Sequence, residues 1–325
     1  MIDLHFDLLT KLYISYLEKD FTFIENFIKN YNQENVNGLI ANLCFMSKDE
    51  MRVEYHKNYF NENISVVEMF IVVKKLLDKY LNKDIDVIMS IEGCDYIDIN
   101  DLYKLYKLGL RSILPVWNCK NKYGSGNRTE EGLTKEGIQF IMRAIELGIG
   151  IDLSHANRKT FDDIIMVSEK AKEVGFNPII FASHSNVYNL CDRDRNLTDD
   201  RLLKIKNLDG VVGLFSHRNF IYKDSLINKT DNNLVIEMYI KHIKYLENLF
   251  GGIDHIAVST DDMTFCADKD PEYYDCPIFN YESIRKDLTH ELQKHYNNED
   301  INKLLEDNSR KLFNKLNGNT KVKLK

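Results

Sequence analysis

Several features that would define a special class of protein are missing from this sequence. No apolar run approaches the roughly 20 residues needed to span a bilayer, and no basic segment followed by an apolar one opens the chain, as a secretory leader would. The 6 cysteines include no Cys-x-x-Cys pair, which argues against a thiolate zinc site or a dense disulfide framework. We therefore expect a cytoplasmic protein with reduced, mostly structural thiols.

Positive charge is also in short supply. The 43 Lys and Arg residues face 50 Asp and Glu residues, and the net charge of −7 argues weakly against nucleic acid or an anionic membrane as the main partner. Linkers rich in Pro or Ser, breaks in composition and internal repeats are absent. The remaining composition is that of an ordinary globular chain, so we expect one domain over residues 1–325.

Short apolar runs alternate with amphipathic stretches along the whole chain, as is typical of repeated βα units around a parallel sheet. The predicted strands are Ile2–Asp7, Asn37–Met46, Asp84–Gly93, Leu108–Trp117, Gly148–Ala156, Asn177–Ser185, Gly210–Ser216 and His255–Met263. Apolar residues at spacings of three and four predict helices in Val66–Leu81, Thr134–Leu147, Arg158–Val174 and Asn233–Phe250. The pattern favours an α/β fold of the closed (β/α)8 TIM-barrel type over an open doubly wound sheet.

The rest of the chain falls between or after these units. Two C-terminal helices are predicted at Tyr281–Tyr296 and Asn302–Leu316. The polar segments Tyr123–Glu131 and Asp268–Asn280 are expected to be loops over the C-terminal mouth of the barrel, where active sites are built. His242 lies in a helical stretch and is expected at the surface.

His5 and Asp7 stand two residues apart in the first predicted strand. In a regular strand they project together, while Leu4 and Phe6 face the other side. From this pair alone, a hydrogen-bonded core contact and a metal site are equally good explanations. Four later strands also end on residues of metal-binding type, namely Glu92, His155, His184 and Asp261 with Asp262. In a barrel these ends meet at one mouth.

Three histidines with two or three carboxylates form a ligand set that suits zinc or a similar divalent ion. The set is larger than one tetrahedral ion with an open position needs. It therefore favours two ions about 3.5–4 Å apart that share a carboxylate. Glu92 is the candidate bridge, because its side chain is long and it stands alone on its strand.

A series of short motifs runs in order along nearly the whole chain. They are His5-x-Asp7, Ile91–Gly93, Leu108–Ser112, Trp117-Asn118, Gly132–Thr134, Ile151–His155, Ser183–Asn186, Arg195–Asp200 and Ser259–Asp261. Together these motifs resemble the membrane dipeptidase (renal dipeptidase) family of zinc peptidases, within the metal-dependent hydrolase barrels. The resemblance implies a metallopeptidase of the bacterial, cytosolic type that hydrolyses a small dipeptide and forms a homodimer.

The same resemblance implies which residues bind each metal ion. His5 and Asp7 bind one divalent ion, His155 and His184 bind the other, and Glu92 bridges them, with Zn²⁺ as the expected metal. A hydroxide held between the two ions attacks the peptide carbonyl, because binding to metal lowers the pKa of water towards neutrality.

Three further residues receive roles from the resemblance. Asp261 orients the attacking water and passes its proton to the leaving amine. Arg195 clamps the free carboxylate of the dipeptide. Trp117 stands where mammalian members have a histidine that holds the substrate, and it lines the substrate pocket or donates its indole N–H.

Alternatives stay open for these residues and for the function. Asp262 competes with Asp261, because the run Asp261–Thr264 departs from the family pattern, and Arg195 could pair with Asp192 or Asp194. Trp117 could simply pack, and His217 is either a loop residue or part of the pocket. The chain could also act on another amide or lactam, or be an inactive barrel that serves as a binding protein.

Overall fold

All eight predicted strands are present in the computed structural model, which describes residues 1–26, 36–45, 65–81, 85–222, 232–261 and 287–318. They are β1 (Ile2–Phe6), β2 (Gly38–Cys44), β3 (Asp86–Glu92), β4 (Leu110–Leu114), β5 (Gly150–Asp152), β6 (Ile180–Phe181), β7 (Val212–Phe215) and β8 (Ile256–Ser259). Each strand lies inside its predicted range and is shorter, because the flanks of each apolar run lie in turns and loops.

The strands run parallel and follow chain order around a barrel. β1 to β6 form one continuous ladder, and β7 pairs with β8. Ala182, directly after β6, bridges to Val212 in β7. The ring closes between β8 and β1, where the N–H of Thr260 donates to the Asp3 carboxylate at 2.9 Å and the N–H of Asp261 donates to the His5 carbonyl at 3.2 Å. The (β/α)8 prediction is therefore confirmed.

Helices lie between the strands in the chain and follow the last of them. They are α1 (Leu8–Glu18), α2 (Val66–Tyr80), α3 (Leu102–Leu108), α4 (Lys135–Glu146), α5 (Arg158–Glu173), α6 (Asp199–Asn207), α7 (Arg218–Ile221), α8 (Asn232–Phe250), α9 (Thr289–Leu292), α10 (Asn298–Asn302) and α11 (Asn308–Gly318). The four helices predicted between strands are confirmed as α2, α4, α5 and α8. Side-chain caps fix the start of three of them, because Ser65 accepts from the Glu68 N–H, Thr134 from the Gly137 N–H and Asn157 from the Thr160 N–H.

The C-terminal predictions are confirmed only in part. The described portion of Tyr281–Tyr296 is helical as far as Leu292 and then turns, and residues 281–286 lie outside the described residues. Asn302–Leu316 falls within a longer helical segment made of α10, a π-helical turn at Lys303–Asp307 and α11. Tyr123–Glu131 is a loop as predicted, and Asp268–Asn280 lies outside the described residues. Within the described ranges, no helix combines the length and apolar character of a membrane span.

Two expectations are wrong, namely that Leu4 and Phe6 share a face of β1 and that His242 lies at the surface. β1 contains a bulge, since Asp3 pairs with Leu39 whereas Phe6 pairs with Ala41. The extra residue places Leu4 with Ile2 in an interior cluster beneath α11, while Phe6 packs in the cluster under the outer helices, so Leu4 and Phe6 do not share a face.

His242 is the second expectation that fails, because this residue is fully buried in α8. It accepts the Val187 N–H at 3.1 Å through Nδ1, and its Nε2 lies 3.0 Å from the Ile221 carbonyl. The side chain therefore joins α8 to the loops after β6 and β7.

Asp3 holds the closing strands of the barrel together. Its side chain is completely buried, and its carboxylate accepts from the N–H groups of His5 and Thr260 and from the hydroxyls of Ser259 and Thr260. Hydrogen bonds to a buried charged group are among the stronger ones in proteins.

Asp3→Ala should therefore lower the free energy of unfolding by about 3 kcal/mol, because buried donors lose their acceptor. Urea unfolding with a chelator present measures this change without a contribution from bound metal. Asp78→Ala removes an exposed carboxylate that pairs with Lys74 at 3.3 Å and serves as the control. Equal stability of the two variants would contradict the role of Asp3.

Candidate metal centre

Six side chains predicted from sequence meet at the carboxyl ends of the strands. Glu92 ends β3, Asp7 follows β1 directly, and Asp261 follows β8 by two residues. His155 and His184 each come three residues after their strand, β5 and β6. His5 lies within β1. Closure of the barrel in chain order is what brings these ends together.

The Glu92 carboxylate lies between the imidazoles. Its Oε2 is 3.3 Å from Nε2 of His5, and its Oε1 is 3.1 Å from Nε2 of His155. Nε2 of His155 is in turn 3.0 Å from Nε2 of His184. On the other side, Nε2 of His5 lies 4.0 Å from Asp7 Oδ1 and 3.8 Å from Asp261 Oδ1.

These atoms form two groups that share Glu92. One group contains Glu92, His155 and His184, the other contains His5, Asp7 and Glu92, and the ligand atoms of each group lie within 4.8 Å of one another. The two groups coincide with the two ligand sets expected from the sequence. A third combination, His5, Asp152 and His184, meets the same distance criterion.

Each imidazole is held through Nδ1. Nδ1 of His155 lies 2.9 Å from the Asn118 amide oxygen. Nδ1 of His184 and Nδ1 of His5 lie 2.6 Å and 3.1 Å from the same hydroxyl, Ser183 Oγ. When Nδ1 carries the hydrogen and donates it, Nε2 keeps a free lone pair, which is the usual arrangement of a metal-binding histidine.

Asn42 completes the environment of His5. Its amide nitrogen lies 3.1 Å from Nδ1 of His5, and its amide oxygen is buried without a hydrogen-bond partner among the described residues. With the amide oxygen rather than the nitrogen facing the imidazole, Asn42 accepts the Nδ1–H of His5. His5 then donates from Nδ1 and presents Nε2 to Glu92 and Asp7.

The electrostatics of the cluster fit a bound cation. Burial opposes a charged Glu92, but the imidazoles of His5 and His155 outweigh it and hold its pKa below the usual range. Burial, with the nearby Glu92, raises the pKa of Asp7. Burial also raises the pKa of Asp261, although His5 works against this rise. Carboxylates packed this closely repel one another unless positive charge lies between them.

The histidines differ in protonation. Burial lowers the pKa of His155 to about 3 and that of His184 well below its usual value, so both are neutral and able to bind metal. Burial also opposes a charged His5, but the carboxylates of Glu92, Asp261 and Asp7 outweigh it and raise its pKa to about 10. Without a metal ion, His5 therefore supplies the positive charge of the cluster.

Buried carboxylate oxygens without hydrogen-bond partners and strained backbone conformations also occur at this cluster. Asp7 Oδ1 and Glu92 Oε1 are buried and have no hydrogen-bond partner among the described residues. His155 and Asp261 adopt left-handed backbone conformations, with φ of 69° and 48°. Such conformations cost free energy for residues other than glycine and are concentrated at functional sites. The donor set, the free oxygens and the strained backbone all fit divalent metal.

Arg195 is 5% exposed and lies beside this cluster. Its Nη1 donates to Ser185 Oγ at 3.3 Å, and its guanidinium lies over the Phe215 ring at 5.5 Å from the ring centre. Nη2 has no hydrogen-bond partner among the described residues. Burial lowers the pKa of Arg195 to about 10, which still leaves it charged at neutral pH. Within the described chain it forms no ion pair with Asp192 or Asp194.

Two aromatic side chains flank the site. The Trp117 ring lies 5.8 Å from the His155 ring, so it borders the cluster, and either of its expected roles is compatible with this position. His217 packs 5.0 Å from the Phe220 ring, and its Nδ1 is buried without a partner among the described residues. Burial, with Arg195 nearby, lowers the pKa of His217 to about 4. Asp262 lies outside the described residues.

A comparison with known protein families identifies the family of this chain. A family model described as membrane dipeptidase (Peptidase family M19) matches residues 22–323. The chain belongs to this family. The matched region contains Glu92, His155, His184 and Asp261, whereas His5 and Asp7 precede it.

Curated proteins of similar sequence align with part of this peptidase-family chain. An uncharacterized protein from the pqqA 5′ region of Klebsiella pneumoniae is 35% identical over 190 residues, which are 55% of this chain and 66% of that protein. An uncharacterized dipeptidase of Schizosaccharomyces pombe is 31% identical over 188 residues, 56% of this chain and 42% of that protein. The aligned part is thus less than two thirds of either relative.

Two solved peptidase structures share the fold. A dipeptidase assigned to the same peptidase family has a TM-score of 0.74 at 21% identity and covers 97% of both chains. A metallopeptidase from Rhodobacter sphaeroides, bound to a phosphinate mimic of the dipeptide L-Ala-D-Ala, has the same TM-score and identity and covers 97% of this chain and 98% of that chain. At this level of identity the similarity establishes the fold.

Sequence reasoning missed the residues that support the metal-binding side chains in this family member. They are Asn42, Asn118, Asp152 and Ser183. Oδ1 of the buried Asp152 accepts the N–H groups of Ser154 and Ser183 at 3.0 Å each, which ties together the loops that carry His155 and His184. Signals were available for all four, because Asn118, Asp152 and Ser183 fall within the motifs quoted above and Asn42 is a lone amide inside an apolar strand.

Metal binding should release protons from this centre. His5 has a pKa of about 10 and so carries a proton at pH 7.5 before metal binds, but an imidazole must lose that proton to use Nε2 as a ligand. Titration calorimetry of the metal-free protein, in two buffers of different ionisation enthalpy, should detect release of about one proton from His5. His5→Ala should release fewer protons, and wild-type protein that releases none would contradict the assignment.

Proposed function

We propose that this chain is a metal-dependent dipeptidase that uses two divalent ions, with Zn²⁺ as the expected metal. The observation that carries the proposal is the Glu92 carboxylate, which belongs to both groups of potential ligands. Family membership supports peptide hydrolysis. The dipeptide mimic bound by the Rhodobacter protein supports a dipeptide as substrate.

The proposed ligands follow from the geometry. His5 and Asp7 would hold one ion, His155 and His184 would hold the other, and Glu92, which belongs to both groups, would be shared between them. Bound divalent ions supply an acidified water and polarise the substrate carbonyl. The remaining steps belong to side chains of the chain itself.

Asp261 is the proposed proton carrier. Its Oδ1 lies 3.8 Å from Nε2 of His5, which places it beside the first ligand group. Because burial raises its pKa, this carboxyl is a better base than an exposed aspartate and can hold a proton until the leaving group needs it. It takes the proton from the attacking water and gives it to the nitrogen of the broken peptide bond.

Arg195 is the proposed anchor for the free carboxylate of the dipeptide. Its Nη2 has no partner among the described residues and its charge is buried, so an entering carboxylate meets a strong donor. Trp117 forms the wall beside His155. The single domain, the cytoplasmic location and the homodimer stay predictions from the sequence.

The first test combines metal content with activity. Purified protein loaded with zinc or manganese should contain close to two ions per chain and should hydrolyse L,L- or L,D-dipeptides. Glu92→Gln removes the shared charge, so both ions should be lost together and turnover should fall by about 100-fold or more. Gln keeps the size of the side chain, and unfolding curves check that the variant folds. Retention of both ions with normal turnover would rule out Glu92 as the bridge.

Arg195→Ala tests substrate anchoring. For dipeptides with a free carboxylate, kcat/KM should fall by about 30- to 1000-fold, because a hydrogen-bonded charge pair is lost. The same dipeptides with an amidated C-terminus should lose far less. Metal analysis of the variant controls for an indirect effect on His155. An equal loss on acids and amides would show that Arg195 does not bind the carboxylate.

A further inference from the structure

A cavity of about 820 Å³ opens at the barrel mouth beside the metal centre. Its walls come from the loop after β4, the first turn of α5, the loop after β6, and α7. Arg195 belongs to this wall, and its charge interacts with Asp261 and Glu92. The cavity and the metal centre therefore share one buried residue.

Positive charge dominates the cavity. Five cations line it against two carboxylates, Glu130 and Asp194. The cations are Arg128, Arg158, Lys159, Arg193 and Arg195. This surplus is local, because the whole chain has a net charge of −7. A cleft lined by charge of one sign focuses the field and draws in ligands of the opposite sign.

These charges are available to a ligand. The four outer cations are exposed and make no ion pair within the described parts of the chain. The Arg158 guanidinium lies over the Tyr188 ring at 5.4 Å, and Arg193 Nε donates to the Asn219 carbonyl at 3.3 Å. Both contacts leave the positive charge without a counterion. Nη2 of Arg195 is the buried, unpartnered donor at this wall.

We propose that the enzyme prefers dipeptides whose C-terminal residue has an acidic side chain, aspartate or glutamate. This inference rests on the proposed function. If Arg195 binds the free carboxylate of the substrate, the residue that leaves with the amine is the one held against the cavity wall. A second carboxylate on that residue then faces Arg158, Lys159 and the other outer cations.

The expected size of the preference for an acidic side chain depends on how exposed the cavity cations are to solvent. Exposed cations in water attract an anion only weakly, and several acting together should raise kcat/KM by about 10- to 30-fold over a neutral residue of the same shape. Salt screens such charges, so the preference should shrink as ionic strength rises from 0.02 to 0.5 M, which shortens the screening length from about 20 Å to about 4 Å.

Matched substrates test this idea with zinc-loaded full-length protein. Ala-Asp is compared with Ala-Asn and Ala-Glu with Ala-Gln, because each pair differs in charge and hardly in shape. The quantity measured is the ratio of kcat/KM values within each pair. Arg158→Gln/Lys159→Gln removes two cavity cations from the first turn of α5. Lys170→Gln/Lys172→Gln removes two exposed cations from the last turn of the same helix and is the control for net charge.

The wild type should favour the acidic member of each pair about 10- to 30-fold, and the ratio should fall with salt. Arg158→Gln/Lys159→Gln should lower the ratio several-fold, whereas Lys170→Gln/Lys172→Gln should leave it unchanged. Hydrolysis of all four dipeptides with a ratio near one would overturn this proposal alone. No hydrolysis of any dipeptide by protein that holds both ions would overturn the proposed function, and this inference with it.

Discussion

The arrangement at the barrel mouth depends on one buried carboxylate, Glu92, placed between imidazoles. A charged carboxylate loses much of its hydration when it is buried, and it stays charged only if positive groups surround it. In the protein alone, protonated His5 supplies that positive charge at 3.3 Å from Glu92 Oε2, and the neutral imidazole of His155 lies 3.1 Å from Oε1. Asp7 and Asp261 add further negative charge on the side of His5. Bound divalent ions would offset the repulsion between these carboxylates and so stabilise the cluster.

The barrel makes this contact possible because it closes in chain order. Neighbouring strands deliver one or two side chains each to the same mouth, so residues as far apart as His5 and Asp261 become neighbours. The polar groups beneath them then fix each ring. Ser183 Oγ contacts Nδ1 of both His5 and His184, so one hydroxyl group touches one imidazole from each proposed metal site. A shift of either imidazole would therefore disturb the contact that holds the other.

The sequence was sufficient to predict the strands and the residues that cluster, because apolar runs and strand-end positions are local properties of the chain. It was not sufficient for features that depend on a partner far away. The bulge in β1 is set by its register against β2, which no pattern within Ile2–Asp7 reveals. Asn118 meets His155 only after the loop after β4 has folded back, and His242 is buried because loops after β6 and β7 cover α8. The choice between Asp261 and Asp262 is likewise a matter of loop geometry.

Chemistry and selectivity occupy different parts of the same mouth. The proposed ligands lie on strands or within three residues after them, whereas the cavity cations lie on loops and first turns. Arg195 is the residue that belongs to both. A buried guanidinium with an unpaired Nη2 is costly in free energy, and after burial it is the main cause that lowers the pKa of His155. Such a charge is best explained by an anion that binds beside the metal centre, since the binding of that anion would offset the cost at the moment when the substrate is in place.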